Sequence, residues 1–175
     1  MRLRRSGSKA LLQSLREVSL LATCSEKELT RIASLATDFH VEAGRVLTVV
    51  DEPGAEFFII IHGVATVWRG HVRLDTLGPG SFFGELSLFD RGVRSASVVA
   101  ETDMRLLVLS RKEFLSPHFL QPSVMERMLS EIGRRLRRAD HGLAVGRTDS
   151  KANSGRCGAT SPVIVKRTPL RDGAG

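Results

Sequence analysis

Glu85 and Arg94 stand nine residues apart within residues 82–98, FFGELSLFDRGVRSASV. A carboxylate such as Glu85 accepts hydrogen bonds from sugar hydroxyls. Arg94 presents a planar fork of donors suited to a phosphate. Gly84 has no Cβ and lets backbone come close to a ligand. Leu86, Ser87 and Leu88 form a short segment able to make one helical turn, whose free N–H groups favour an anion. Ser95 adds a hydroxyl, and Ala96 keeps the approach open. These residue types suit a phosphate-ribose site. The plainer alternative for an acid and a base at such spacing is a surface salt bridge.

The elements that must carry these residues follow from periodicity. Leu11, Leu12, Leu15, Val18 and Leu21 recur at helical spacing, predicting a helix over residues 10–22. Ser25 and Glu28 form a capping-box signature for a second helix whose apolar face is Leu29, Ile32, Ala33, Leu35 and Ala36. From Phe39 the period shortens. Residues 57–61 are an unbroken apolar run of strand length, and alternation resumes over 64–68. Arg69-Gly70-His71 reads as a tight hairpin, Gly78-Pro79-Gly80 as a turn into the Glu85 segment, and residues 95–100 and 104–109 as two more strands. Short strands with Gly/Pro turns every ~8–12 residues argue an antiparallel sandwich or β-roll. Ser110 and Glu113 cap a short helix, and Pro117 and Pro122 break the chain. Residues 123–141 then form a long amphipathic helix with a stripe of Met125, Met128/Leu129, Ile132, Leu136 and Ala139/Leu143. The stripe packs on the roll, and part of it can also pair with a second copy.

The segment FGELSL, five residues, then RSASV closely resembles the phosphate-binding cassette of cyclic nucleotide-binding domains. Gly44-Arg45-Val46-Leu47, Pro53-Gly54 and Phe57 to Gly63 resemble that family's first half. Two turn positions depart from it: Asp51 stands where the family usually has Gly, and Ala55 where it often has Asp. The resemblance runs over about residues 18–140. It implies a mainly β fold with flanking helices, an antiparallel double-stranded β-helix (a jelly-roll β-roll) with N-terminal helices and a long C-terminal helix. It implies cyclic AMP or cyclic GMP as ligand, with cyclic AMP favoured on family frequency. Glu85 then takes the ribose 2′-hydroxyl and Arg94 the cyclic phosphate. Backbone N–H groups of Leu86 and Ser87 and the Ser95 hydroxyl hold phosphate oxygens. Phe83, Gly84 and Ala96 complete the cassette, and Val67 and Leu74 lie against the base. The Thr-Ser that catabolite-activator-like proteins carry on the long helix is replaced here by Ala139-Asp140, leaving Arg138 or Asp140 to cap the base, or a solvated helix end.

Composition divides the chain unevenly. The formal net charge is +7 over 175 residues. Residues 134–175 hold ten basic and three acidic side chains, whereas residues 1–133 hold 16 of each. The division expected is a flexible basic N-terminus over 1–9, a cyclic nucleotide-binding domain over 10–141 and a disordered basic tail over 142–175. The run Arg134, Arg135, Arg137, Arg138 reads as a solvated helix face. Cys24 and Cys157 are isolated, which suits a reducing cytoplasm and gives no metal spacing. No His-x-His or nucleophile–base cluster stands out, so neither metal nor catalysis is expected. No apolar run reaches membrane-spanning length. About 35 residues follow the long helix, fewer than a helix-turn-helix domain needs, so specific DNA reading is not expected. The expected partners are a cyclic nucleotide, a separate protein effector and, through the long helix, a second copy. The alternative is a catabolite-activator-like regulator without a helix-turn-helix, its tail binding nucleic acid non-specifically.

Overall fold

The computed structural model describes residues 9–145, with side chains over 11–138. Helix α1 (Lys9–Glu17) buries Leu11 and Leu15. The helix expected over 10–22 stops there. Val18 is extended (φ −73°, ψ 114°), and a 3-10 turn, Ser19–Leu21, follows. The break has a packing reason: Val18, Leu20 and Leu21 are all buried, and residues two apart lie on opposite sides of an α-helix. Helix α2 (Glu26–Leu35) starts from Ser25, whose hydroxyl accepts from the Glu28 N–H while the Glu28 carboxylate accepts from the Ser25 N–H at 2.6 Å.

Eight strands follow: β1 (Thr37–Val41), β2 (Val46–Thr48), β3 (Glu56–His62), β4 (Ala65–Arg69), β5 (Val72–Leu77), β6 (Phe82–Phe83), β7 (Ser97–Ala100) and β8 (Met104–Ser110). They form two four-stranded sheets, ordered β1-β8-β3-β6 and β2-β7-β4-β5, with every pairing antiparallel. This is the expected roll. β3 lacks alternation because both its faces are buried. Phe57 and Ile59 join Phe82, Leu107, Leu109 and the helices on the outer face. Phe58 and Ile60 join Phe83, Leu106, Ala65 and Val98 between the sheets.

One helical turn, α3 (Leu86–Phe89), sits in the loop between β6 and β7. Helix α4 (Arg111–Phe114) has the expected Ser110–Glu113 capping box. Helix α5 spans Pro122–Val145. Pro122 opens α5 instead of breaking the chain, because the first helical position needs no N–H donor. α5 also continues past His141, into the stretch expected to be a disordered tail. Its apolar stripe divides: Val124 and Met128 are fully buried and Ile132 packs against them, whereas Leu129 and Leu136 are 59% and 63% exposed. Residues 1–8 and 146–175, including most of the expected tail, lie outside the described residues.

Candidate functional site

Two loops hold Arg94. The Asp51 N–H donates to the Arg94 carbonyl at 2.9 Å, and the Arg94 N–H donates to the Glu52 carbonyl at 2.8 Å. Pro53 bridges to Val93, and the Val50 N–H donates to the Ser97 hydroxyl. Asp51 has φ 64°. That left-handed backbone accounts for the Gly the family prefers here, and Asp is among the residues that tolerate it. Gly54 leaves room for the arginine, because a Cβ there would overlap Arg94 Nε and Cζ.

The Arg94 guanidinium is 6% exposed and lies among acceptors. Nη1 donates to the Gly84 carbonyl at 2.9 Å and to the Ser87 hydroxyl at 3.0 Å. Nη2 donates to the Glu56 carbonyl at 2.9 Å and to Glu56 Oε2 at 3.0 Å. Its Cζ is 5.7 Å from the centroid of Phe58, which stacks on Phe83 at 4.7 Å and 8°. Gly84 has φ 88°, and a Cβ on it would stand 2.6 Å from Arg94 Nη1 and 2.7 Å from the Glu56 carbonyl. Its glycine character serves the seating of Arg94 against β3. At the departing position Ala55 supplies no carboxylate. Its neighbour Glu56 does.

Glu85 is 5% exposed at the start of α3. Burial pushes its carboxyl above the ordinary carboxylate range. Arg135 and Arg94 pull it back down, as does its own backbone N–H, and Glu131 adds to the rise. Arg135 on α5 comes within 3.7 Å of Glu85. Arg135 also donates to the Phe82 carbonyl at 2.8 Å, pairs with Glu131 at 3.3 Å and lies 4.7 Å over the Phe82 ring. The sequence reading placed Arg135 on a solvated face. Arg134, Arg137 and Arg138 are indeed exposed, but the Arg135 side chain is only 21% exposed. The missed signal was spacing: Arg135 follows Met128 by seven residues and so shares the face of α5 that packs inward.

The other candidates divide. Ser87 is buried, accepting from Arg94 and donating to the Gly84 carbonyl at 3.3 Å. The N–H groups of Leu86 and Ser87 open α3, where no acceptor lies within the helix. Ser95 is exposed, and the Ala96 carbonyl accepts from the Thr48 hydroxyl at 3.2 Å. Val67 packs on the cluster between the sheets. Leu74 does not face it: a bulge between Val67 and Trp68 sets Val67 opposite Asp75 and leaves Leu74 53% exposed. Trp68 donates to the Thr66 hydroxyl, on the face of β4 away from Val67. Arg138 reaches Glu131 at 3.3 Å and Asp75 at 3.9 Å, and the Asp140 side chain lies outside the described residues. A polar cleft of ≈ 210 Å³ runs past Glu17, Gly80, Phe82, Glu131 and Arg135, with neither Glu85 nor Arg94 in its lining. No described helix is long and apolar enough to cross a membrane. No group of three or more His, Cys, Asp or Glu among the described residues can hold a metal ion.

Comparison with known proteins bears on what such a site belongs to. Residues 38–116 match the family model of the cyclic nucleotide-binding domain. The chain is 36% identical over 102 residues to the cyclic AMP receptor protein of Thermus thermophilus, covering 55% of this chain and 47% of that protein. The crystal structure of the T. thermophilus catabolite activator protein is 31% identical, with a TM-score of 0.64 over 73% of this chain and 62% of that one. A 34% match over 125 residues covers 69% of this chain and 20% of glutaminase 2 from Bradyrhizobium diazoefficiens. The chain thus spans about half the length, or less, of these curated relatives. Residues 38–116, which carry the antiparallel roll and the cassette turn, belong to the cyclic nucleotide-binding domain family.

Proposed function

We propose that this chain is a cyclic nucleotide receptor domain, regulatory and not catalytic, with cyclic AMP its preferred ligand over cyclic GMP. Glu85 accepts from the ribose 2′-hydroxyl, and Arg94 pairs with the singly charged cyclic phosphate. Gly84, Leu86 and Ser87 border the phosphate, with Ser95 and Ala96 at its rim. Val67 lies beside the base. The observation that carries this reading is the burial of Glu85 and Arg94 together around one helical turn, each 5% exposed. Structure alone gives little reason to bury a carboxylate and a guanidinium at the edge of an apolar roll. The names of the relatives favour cyclic AMP.

The signal travels through Arg135. This side chain touches Glu85 and the Phe82 carbonyl from α5. A hydroxyl donating to Glu85 changes what Arg135 meets there, and so biases where α5 rests. Leu129 and Leu136, seven residues apart and exposed, suit a second copy of α5. The effector is a separate protein in the cytoplasm. The experiment is hydrogen exchange with and without saturating cyclic AMP. Slower exchange across α5 is expected, and unchanged exchange there contradicts the signalling route.

A second reading follows from the charge. The six basic residues of the tail over 142–175 can bind nucleic acid non-specifically. Steep salt dependence that vanishes on deleting residues 142–175 is the expected mark of that role.

A further inference from the structure

We infer that Glu56 is a resident counter-anion on Arg94, which the ligand phosphate must displace, and that it sets the affinity of the site. The inference rests on the receptor reading above. Arg94 Nη1 and Nη2 carry four N–H bonds, and the Gly84 carbonyl, the Ser87 hydroxyl, the Glu56 carbonyl and Glu56 Oε2 accept them. A phosphate gripped by this end of the fork must therefore take the place of one of these acceptors.

They differ in their freedom to leave. The Glu56 carbonyl belongs to β3, where Glu56 pairs with Ser110 of β8. The Gly84 carbonyl is fixed in the left-handed turn before α3 and also accepts from Ser87. Ser87 is 2% exposed. The Glu56 side chain is 31% exposed, so its carboxylate can swing into water by side-chain rotation. Its carboxylate also accepts from the Ala55 N–H, at a longer 3.3 Å. A carboxylate and a phosphodiester each carry one negative charge, so the exchange keeps the buried guanidinium neutralised throughout. Ala55 holds no carboxylate, and its neighbour Glu56 pairs with Arg94 at 3.0 Å.

An anion that must be displaced weakens the ligand, whereas a partner that only orients the guanidinium strengthens it. The two roles give opposite signs for one substitution. Calorimetric titration of the full chain with cyclic AMP would compare wild type, Glu56→Gln, Glu56→Asp and Arg94→Gln. Both Glu56 variants are expected to bind about 3- to 10-fold more tightly than wild type, Gln by losing the charge and Asp by withdrawing it. Carbodiimide labelling of wild-type Glu56, read by peptide mass spectrometry, is expected to rise on saturation with cyclic AMP, a readout that needs no variant to fold. Equal or weaker binding by the folded Glu56 variants, or labelling that stays constant or falls, overturns the inference while leaving the receptor reading intact. Wild type and Arg94→Gln binding cyclic AMP equally, or neither wild type nor any variant binding at all, sinks the receptor reading and this inference with it.

Discussion

The sheet β1-β8-β3-β6 separates two regions of opposite chemistry. On its outer face Phe57, Phe82, Phe114 and Phe119 pack with leucines of α1 and α2 and with Met128 of α5, all fully or nearly fully buried. On its inner face Phe58 and Phe83 stack on each other, and Phe58 lies beside the guanidinium of Arg94. Each region takes one residue of the same two adjacent pairs, Phe57-Phe58 and Phe82-Phe83. The outer set makes a dry core that holds helices. The inner set leads to a cluster in which Arg94, Glu85 and Ser87 are buried with their partners. Burying charge against the edge of an apolar core costs stability, so the outer region stabilises what the inner one does not. Arg135 joins the two, lying over Phe82 from outside and reaching Glu85.

Substitutions can break this contrast from either side. The largest effect belongs to the dry face. Phe57 is fully buried, with Phe114 at 4.8 Å and Phe119 at 5.4 Å between ring centroids. Phe57→Ala should cost about 3–5 kcal/mol in urea unfolding. Next comes Gly84→Ala, which combines φ 88° with a Cβ pressed on Arg94 Nη1. It should cost about 1–3 kcal/mol and weaken ligand binding as well. Arg135→Gln should cost about 1 kcal/mol, since its ion pairs are partly solvated. It should also speed hydrogen exchange in the second half of α5, an effect that loss of a surface charge alone does not produce.

Glu85 sharpens the contrast through pH. Its folded carboxyl binds a proton more tightly than the unfolded one, mainly through burial. Its stabilising contribution is therefore complete below the unfolded value and fades as pH rises through the raised folded value. Wild type should gain Tm relative to Glu85→Gln as pH falls from neutral to about 4. A difference independent of pH contradicts the burial argument. The smallest stability effect is expected for Leu136→Lys, within about 0.5 kcal/mol because the side chain is 63% exposed. Sedimentation should show it lowering the dimer fraction.

What the sequence disclosed was whatever is local. The cassette is contiguous, so Gly84, Glu85, Ser87 and Arg94 could be named from their order, and both Ser–Glu capping boxes from a spacing of three. The unbroken run 57–61 signalled a strand, and the fold then showed both its faces covered. What stayed hidden was set by tertiary packing. Val18 leaves the helix so that Leu20 and Leu21 can be buried too. A bulge carries Leu74 away from Val67. Arg135 looks like its three neighbouring arginines until α5 is laid across Phe82. Glu56 gains its meaning only when β3 brings it to Arg94, 38 residues further along the chain.

The most direct test of the account is calorimetric titration of the full chain with cyclic AMP and cyclic GMP, on wild type and on Arg94→Ala. The account predicts one nucleotide bound per chain, cyclic AMP more tightly than cyclic GMP, and a loss of ~10-fold or more in Arg94→Ala. Binding that survives the substitution unchanged, or wild-type chain that takes up neither nucleotide, would contradict it.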